Sequence, residues 1–219
     1  MNDQLILKFP SHQAYKKEDF YVSPSNQEAY DFINSWPKWI KRIINVFGPS
    51  GSGKSHLSSI LKSKTSCLQI DSNELNEKIF FKFKTKEALI IENLDEKVSE
   101  KLLYSIWNIA LQDNKYLLIT SKKPINSYNF KLKDLNSRVN SGLTIGIKLP
   151  SDELISVILA KNFSDKQIKV EKKHIDYIIK RIDRSYEKIS QFILTLDKYS
   201  LKKGSPFSLK LIKEVLKMI

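Results

Sequence analysis

The chain has 219 residues, 41% of them apolar, enough to bury a core as one large domain or two small ones. A single cysteine, Cys67, excludes an internal disulfide framework and fits a reducing, cytoplasmic setting, and the polar N-terminus and the lack of a long apolar run exclude a secretory leader and a membrane partner. The formal charge of +13 comes almost wholly from lysines spread along a Lys-, Ile- and Asn-rich chain, so it reads as compositional drift more than as a dedicated nucleic-acid surface, and any DNA association is expected to be weak and salt-sensitive.

In chain order, residues 1–19 read as an extended N-terminal segment. Within it, residues 4–9 (Gln4, Leu5, Ile6, Leu7, Lys8, Phe9) alternate like an edge strand. Pro10 and the terminal position suit instead a short peptide offered to a partner through Gln4, Leu5, Leu7 and Phe9. A helix is expected at 27–35, capped by Ser25 or Asn26, and the sequence Trp36-Pro37-Lys38-Trp39 ends it. The two tryptophans there read as packing anchors.

The apolar run 43–47 reads as a buried strand. It leads into Gly48-Pro49-Ser50-Gly51-Ser52-Gly53-Lys54-Ser55, which fits the phosphate-binding loop G-x-x-x-x-G-K-[ST], and a helix is expected at 56–62. The glycines let successive backbone N–H groups curl around an anion, and the helix N-terminus adds its positive dipole end. Lys54 would reach the β/γ-phosphates and Ser55 would ligate Mg²⁺. Pro49, Ser50, Gly51, Ser52, Gly53 and His56 complete the expected nucleotide contacts, with His56 beside the phosphates or ribose rather than acting as a base.

Further strands are expected at 67–70, 88–91, 116–120 and 143–149, with helices at 73–78, 98–112 and 132–140 between them. This alternation predicts an α/β fold: a parallel sheet with helices on both faces, its ligand site at the carboxyl ends of the strands. The phosphate loop, Glu92 and Thr120 all fall at that end. After Pro150 the pattern turns wholly helical, at 152–163, 171–183, 186–200 and 206–218, the last started by Ser205 and Pro206. The expected division is 1–19, then a nucleotide-binding domain at 20–150, then a small all-helical domain at 151–219.

A phosphate-loop sheet followed by a small helical lid looks like an AAA+ ATPase. Phe20-Tyr21-Val22-Ser23-Pro24-Ser25-Asn26 resembles the adenine-flanking segment of the replication initiator DnaA. Leu132-Lys133-Asp134-Leu135-Asn136-Ser137-Arg138 with Gly142 resembles the stretch that carries its arginine finger. Residues 177–184 and 194–197 resemble the lid of the Hda branch of the DnaA/Hda family, and residues 4–9 resemble the Q-L-x-L-x-F peptide that binds the DNA polymerase sliding clamp. The resemblance covers essentially the whole chain, which is expected to end at the lid without a DNA-reading domain.

The resemblance implies ADP or ATP as ligand, with Mg²⁺ on Ser55 and Glu92. It implies adenine contacts from Phe20, Val22 and Asn26, and Arg138 as a finger acting in trans. The departures fall on the hydrolytic side. Asn93 stands where the family carries its catalytic carboxylate, and Asn cannot take a proton from water. The acid expected after the fourth strand is Lys122. The lid arginine aligns with Glu187, leaving Lys188 or Arg184 as substitutes. The expected function is a regulator that holds an adenine nucleotide, ADP at rest, docks on the clamp and stimulates hydrolysis of DnaA-bound ATP, preventing re-initiation. It would have weak or no ATPase of its own, and a homodimer is compatible with it. The alternatives are a nucleotide-gated, DNA-binding or loader-type AAA+ adaptor, and an autonomous P-loop ATPase or kinase.

Overall fold

The computed structural model describes residues 20–165, 168, 170–203 and 208–219. The clamp-type peptide with Gln4, Leu5, Leu7 and Phe9, and the helix start at Ser205 and Pro206, lie outside these residues.

Five parallel strands, β1 (Ile43–Phe47), β2 (Cys67–Asp71), β3 (Ala88–Leu94), β4 (Tyr116–Ser121) and β5 (Leu143–Gly146), form one sheet in the order β2-β3-β4-β1-β5. Strands buried on both faces must be apolar on both faces, and the alternation shows it. Ile43, Leu89, Ile91, Leu117 and Ile119 face one layer, packing with Ile79 and Phe83 of α3 (Lys78–Lys84), with Leu103, Ile106 and Trp107 of α4 (Glu100–Gln112), and with Leu135 and Val139 of α5 (Lys133–Ser141). Ile44, Val46, Ile90, Leu118 and Ile145 face the other layer, with Ala29 and Ile33 of α1 (Gln27–Asn34) and Leu57, Ile60 and Leu61 of α2 (Lys54–Lys62). Trp39 joins this second layer and meets Trp36 edge-to-face at 5.1 Å, so both tryptophans pack as anchors.

The helices α6 (Asp152–Asp165), α7 (Lys172–Ile179), α8 (Tyr186–Lys203) and α9 (Leu209–Leu216) enclose a core cluster of their own, centred on Ile155, Leu159, Ile178, Phe192 and Ile212. Ser208 caps α9, its hydroxyl accepting from Leu211 N. Among the described residues no helix is long and apolar enough to cross a membrane.

The helix expected at 73–78 is not formed. Asp71 accepts from Asn73 N while Glu74 accepts from Asp71 N, and this reciprocal box closes a short 3₁₀ turn, Ser72–Glu74. The helix starts later, at Lys78, because Ile79 and Phe83, one turn apart, both bury against the sheet. Strand β5 is shorter than expected, although Ile147 N still donates to Phe47 O at 2.7 Å just past its end. Between Ile91 and Leu94 the β3–β4 register slips by a residue, a bulge at Glu92-Asn93 in which Asn93 takes φ +56°.

Candidate functional site

At the carboxyl ends of β1, β3 and β4 the sheet opens into a cleft of about 1270 Å³. One wall is the phosphate loop. Gly51 and Gly53 have φ +79° and +91°, which lets the loop reverse and aim its N–H groups inward. There is no room for side chains at these positions. A Cβ on Gly53 would meet the Phe20 ring at 2.9 Å, and one on Gly51 would meet Tyr186 Cβ at 3.1 Å. Gly48 N donates to Ser121 O at 3.1 Å, tying the start of the loop to the end of β4. Gly53 is the N-cap of α2, so the helix begins at Lys54 itself and its dipole end faces the cleft.

Lys54 is buried, and its ammonium donates to the carbonyls of Gly48 and Pro49 at 2.8 Å each. Burial, reinforced by the nearby Lys122 charge and opposed by Glu92, holds its pKa down at about 8. Ser50, Gly51, Gly53, Lys54, Ser55 and His56 all line the cleft. Ser52 is buried within the loop, its hydroxyl without a hydrogen-bond partner among the described residues. Phe20 covers the other side of the loop, stacked on Tyr30 at 5.4 Å and edge-on to His56 at 5.2 Å. Asn26 is spent on its own turn: its amide accepts from Ser23 N at 2.8 Å and donates to Tyr21 O at 3.0 Å. Val22 is half-buried in the same turn.

The opposite wall comes from β3, β4 and the C-terminal helices. The Glu92 oxygen Oε1 is buried and has no hydrogen-bond partner among the described residues. A hard cation fits this orphaned oxygen, with the Ser55 hydroxyl as a second oxygen donor. Among the described residues no cluster of three or more His, Cys, Asp or Glu side chains could hold a metal alone, so a Mg²⁺ here would share its coordination with phosphate and water. Asn93 and Asp71 both line the cleft, the Asn93 amide donating to Asp71 Oδ2 at 2.8 Å while its backbone N donates to Thr120 Oγ1 at 3.1 Å. Lys122 and Lys123 follow β4 and line the cleft.

From the C-terminal helices the cleft receives Ile158, Asn162, Tyr186, Ile189 and Ser190. Tyr186, at the start of α8, was not singled out by the sequence. Its hydroxyl donates to Lys148 O at 3.2 Å, sits 3.4 Å from Ser25 Oγ, and has its pKa raised by burial. Its one legible signal is a place beside the lid position that aligns with Glu187. Glu187 is exposed, Lys188 donates to the carbonyl of Ile219, and Arg184 pairs with Asp152 at 3.0 Å.

Arg138 lies on the exposed face of α5, away from this cleft. The chain's other arginines are all engaged. Arg42 donates to Asn114 O at 2.7 Å and Arg184 to Asp152, while Arg181 lies 3.7 Å over the Tyr177 ring. The Arg138 guanidinium has no hydrogen bond or ion pair among the described residues, and an Arg138–Asp134 bridge is not made.

No family model matches this chain. In sequence it is similar to the chromosomal replication initiator protein DnaA of Borreliella afzelii, 24% identical over 94% of this chain and 48% of that protein. The chain thus spans about half the length of the curated relatives it matches. In structure it superimposes on domain III of Thermotoga maritima DnaA with a TM-score of 0.79 at 19% identity, covering 95% of this chain and 98% of that one. The AMPPCP-bound DnaA of Aquifex aeolicus matches with a TM-score of 0.70 at 17% identity, over 84% of this chain and 65% of that one. The fold is therefore that of domain III of Thermotoga maritima DnaA, a parallel five-stranded sheet with helices on both faces.

Proposed function

We propose that the chain is an adenine-nucleotide-binding AAA+ regulator of replication initiation that acts on DnaA. In this reading the cleft holds ADP or ATP on residues 48–55, with Phe20, Val22, Asn26, His56 and Lys188 around the nucleoside and phosphates. When bound, Mg²⁺ on Ser55 and Glu92 would offset phosphate charge. Arg138 is then offered to the ATP site of a neighbouring DnaA. A planar guanidinium placed on a transferring γ-phosphoryl group in trans can raise its rate by about 10³–10⁵. Gln4, Leu5, Leu7 and Phe9 would dock the chain on the sliding clamp, so that the signal is given where DNA is being copied. The whole regulator works through its partners, in the cytoplasm, with little turnover at its own cleft.

The observation that carries this reading is the contrast at Arg138. It is an exposed guanidinium with no hydrogen-bond or ion-pair partner among the described residues, in a chain whose other arginines are all engaged. The test is hydrolysis of DnaA-bound ATP with clamp and primed DNA present. Arg138→Ala should bring the rate back to that of DnaA alone while leaving nucleotide binding at the chain's own cleft unchanged. If Arg138→Ala stimulates as well as the wild type, the finger role is lost. Gln4→Ala separately tests docking, by a pull-down on purified clamp.

A second reading, a nucleotide-gated DNA-binding adaptor, is favoured by one patch. Phe81 is 77% exposed on α3 between Lys78 and Lys82. It predicts tight binding to single-stranded DNA without the clamp, falling steeply with salt.

A further inference from the structure

Side-chain amides tie the ends of neighbouring strands together at two places among the described residues. Asn45 of β1 is only 2% exposed, and a buried amide is costly unless its hydrogen bonds are met. It donates to Ser121 Oγ at 2.8 Å and Ile119 O at 3.2 Å and accepts from Ile125 N at 2.9 Å, which fixes the turn after β4 from inside the sheet. The second tie, from Asn93 of β3 to Asp71 of β2, differs because both of its partners line the cleft.

Strands β2 and β3 pair in parallel register, Gln69 with Ile90 and Asp71 with Glu92. Residues opposite each other in a sheet project from the same face, and residues two apart share it. Ile90 packs with Leu57, Ile60 and Leu61 of α2, so Asp71 and Glu92 project from the face that α2 covers, and α2 starts at the phosphate loop. Asp71 is thus a second carboxylate on the loop's side of the sheet, one strand out from Glu92. Its oxygens accept only from neutral donors, Oδ1 from Asn73 N at 3.1 Å and Oδ2 from the Asn93 amide at 2.8 Å, and it makes no ion pair among the described residues. Each oxygen keeps a lone pair for water. Other carboxylates of the cleft are turned to their own loop: Glu96 pairs with Lys123, and Asp95 accepts from Lys97 N at 2.9 Å. Asn93 is itself fixed, its backbone N donating to Thr120 Oγ1 at 3.1 Å and its carbonyl accepting from Ser72 Oγ at 3.0 Å. Its amide therefore holds the Asp71 carboxylate in one orientation.

We propose that Asp71 is the general base of this cleft, oriented by Asn93 as a positioning residue, so that the chain slowly hydrolyses the nucleoside triphosphate it binds. This rests on the nucleotide-site reading above and gives the little turnover described there a named source. The Asp71 carboxylate takes a proton from a water molecule. The water oxygen bonds to the terminal phosphorus as the bond from that phosphorus to the bridging oxygen breaks. The nucleoside diphosphate leaves with the electron pair of that bond, and the proton passes from Asp71 to inorganic phosphate or solvent. The step is slow because β2 is the outermost strand, farther from the loop after β1 than β3 is. A carboxylate on β2 facing an amide on β3 is an arrangement that can be exchanged, which supplies the test.

The test is single-turnover hydrolysis of ATP by the full chain with Mg²⁺, with calorimetric titration by AMPPCP and ADP as an independent readout. The wild type should release phosphate, and Asp71→Asn should slow that release about 100-fold or more. The same variant should bind AMPPCP about two- to fivefold more tightly and change less toward ADP, because a negative charge facing the terminal phosphate is gone. Asn93→Ala should lower kcat about three- to tenfold with KM held, a split that a merely structural role would not give. Asp71→Asn combined with Asn93→Asp returns a carboxylate to the pair on the other strand and should recover about tenfold or more of the rate lost in Asp71→Asn alone. Undiminished phosphate release in Asp71→Asn, equal weakening of AMPPCP and ADP in that variant, or no recovery in the exchanged pair would overturn the inference and leave the nucleotide site standing. So would a wild type that binds AMPPCP and releases no phosphate from ATP. A wild type that binds neither nucleotide would overturn both.

Discussion

The two walls of the cleft rise from one sheet, yet they differ in what they retain. The phosphate-loop wall carries everything an anion needs: positive-φ glycines, a helix dipole end, and a lysine donating within the loop. The facing wall carries an unpaired Glu92 oxygen, but its Asn93 is turned onto Asp71 and its strand-four position is a lysine. Gripping a phosphate requires backbone shape and positive charge. Cleaving one also requires a base and an aligned water. The groups suited to the first task stand on the loop after β1, while the positions at the ends of β3 and β4 carry Asn93 and Lys122 in place of a carboxylate that could serve as the base.

Four experiments would sharpen or break that contrast. The largest effect is expected from Lys54→Ala, which should weaken adenine-nucleotide binding roughly 10–100-fold by titration, since a charge-assisted bond to phosphate is lost. Gly53→Ala follows: φ +91° is strained for any other residue and Phe20 stands 2.9 Å from the added carbon. A loss of about 1–2 kcal/mol is expected. It would appear in thermal melting as a drop of about 2–8 °C, with retained stability contradicting the strained-cradle account.

Third is the pH dependence. The free-state pKa of Lys54, about 8 rather than 10.5, means that the ammonium is lost as pH rises through 8. Phosphate binding favours the charged form and raises that pKa, so affinity should be level below about pH 7.5 and fall up to tenfold per unit between roughly pH 8 and the bound-state value. In Lys122→Ala the onset should move to higher pH, because one like charge is gone while Glu92 remains. Smallest is Tyr186→Phe. Removing the hydroxyl that holds Lys148 O should cost about 0.5–1.5 kcal/mol. Lid protection in hydrogen exchange should fall with it, and unchanged protection around residues 148–152 would mean that the bond does not hold the lid.

Much of the architecture was legible because it rests on local rules. Short continuous apolar runs marked the strands, and the glycine-lysine-serine spacing after the first of them marked the glycine-rich loop before α2. The helix at Lys78–Lys84 was missed because a short amphipathic segment with only Ile79 and Phe83 buried has too weak a periodicity, and Asp71 and Glu74 gave capping chemistry to a 3₁₀ turn just before it. Tyr186 and Asn45 were missed for a different reason. Nothing around either residue in the chain says that their partners lie 38 and 76 residues away.

From sequence alone came the parallel sheet, the glycine-rich loop between β1 and α2 and the absence of a carboxylate at position 93, since each depends on residue type and spacing along the chain. Only the tertiary structure decided that Asn93 turns onto Asp71, that Asn45 anchors the turn bearing Lys122, that Tyr186 joins α8 to Lys148 beyond β5, and that Arg138 is the arginine left without a partner among the described residues. Each of these is a hydrogen bond or its absence between distant segments. Such bonds exist only after burial of the two sheet faces has brought the strand ends together.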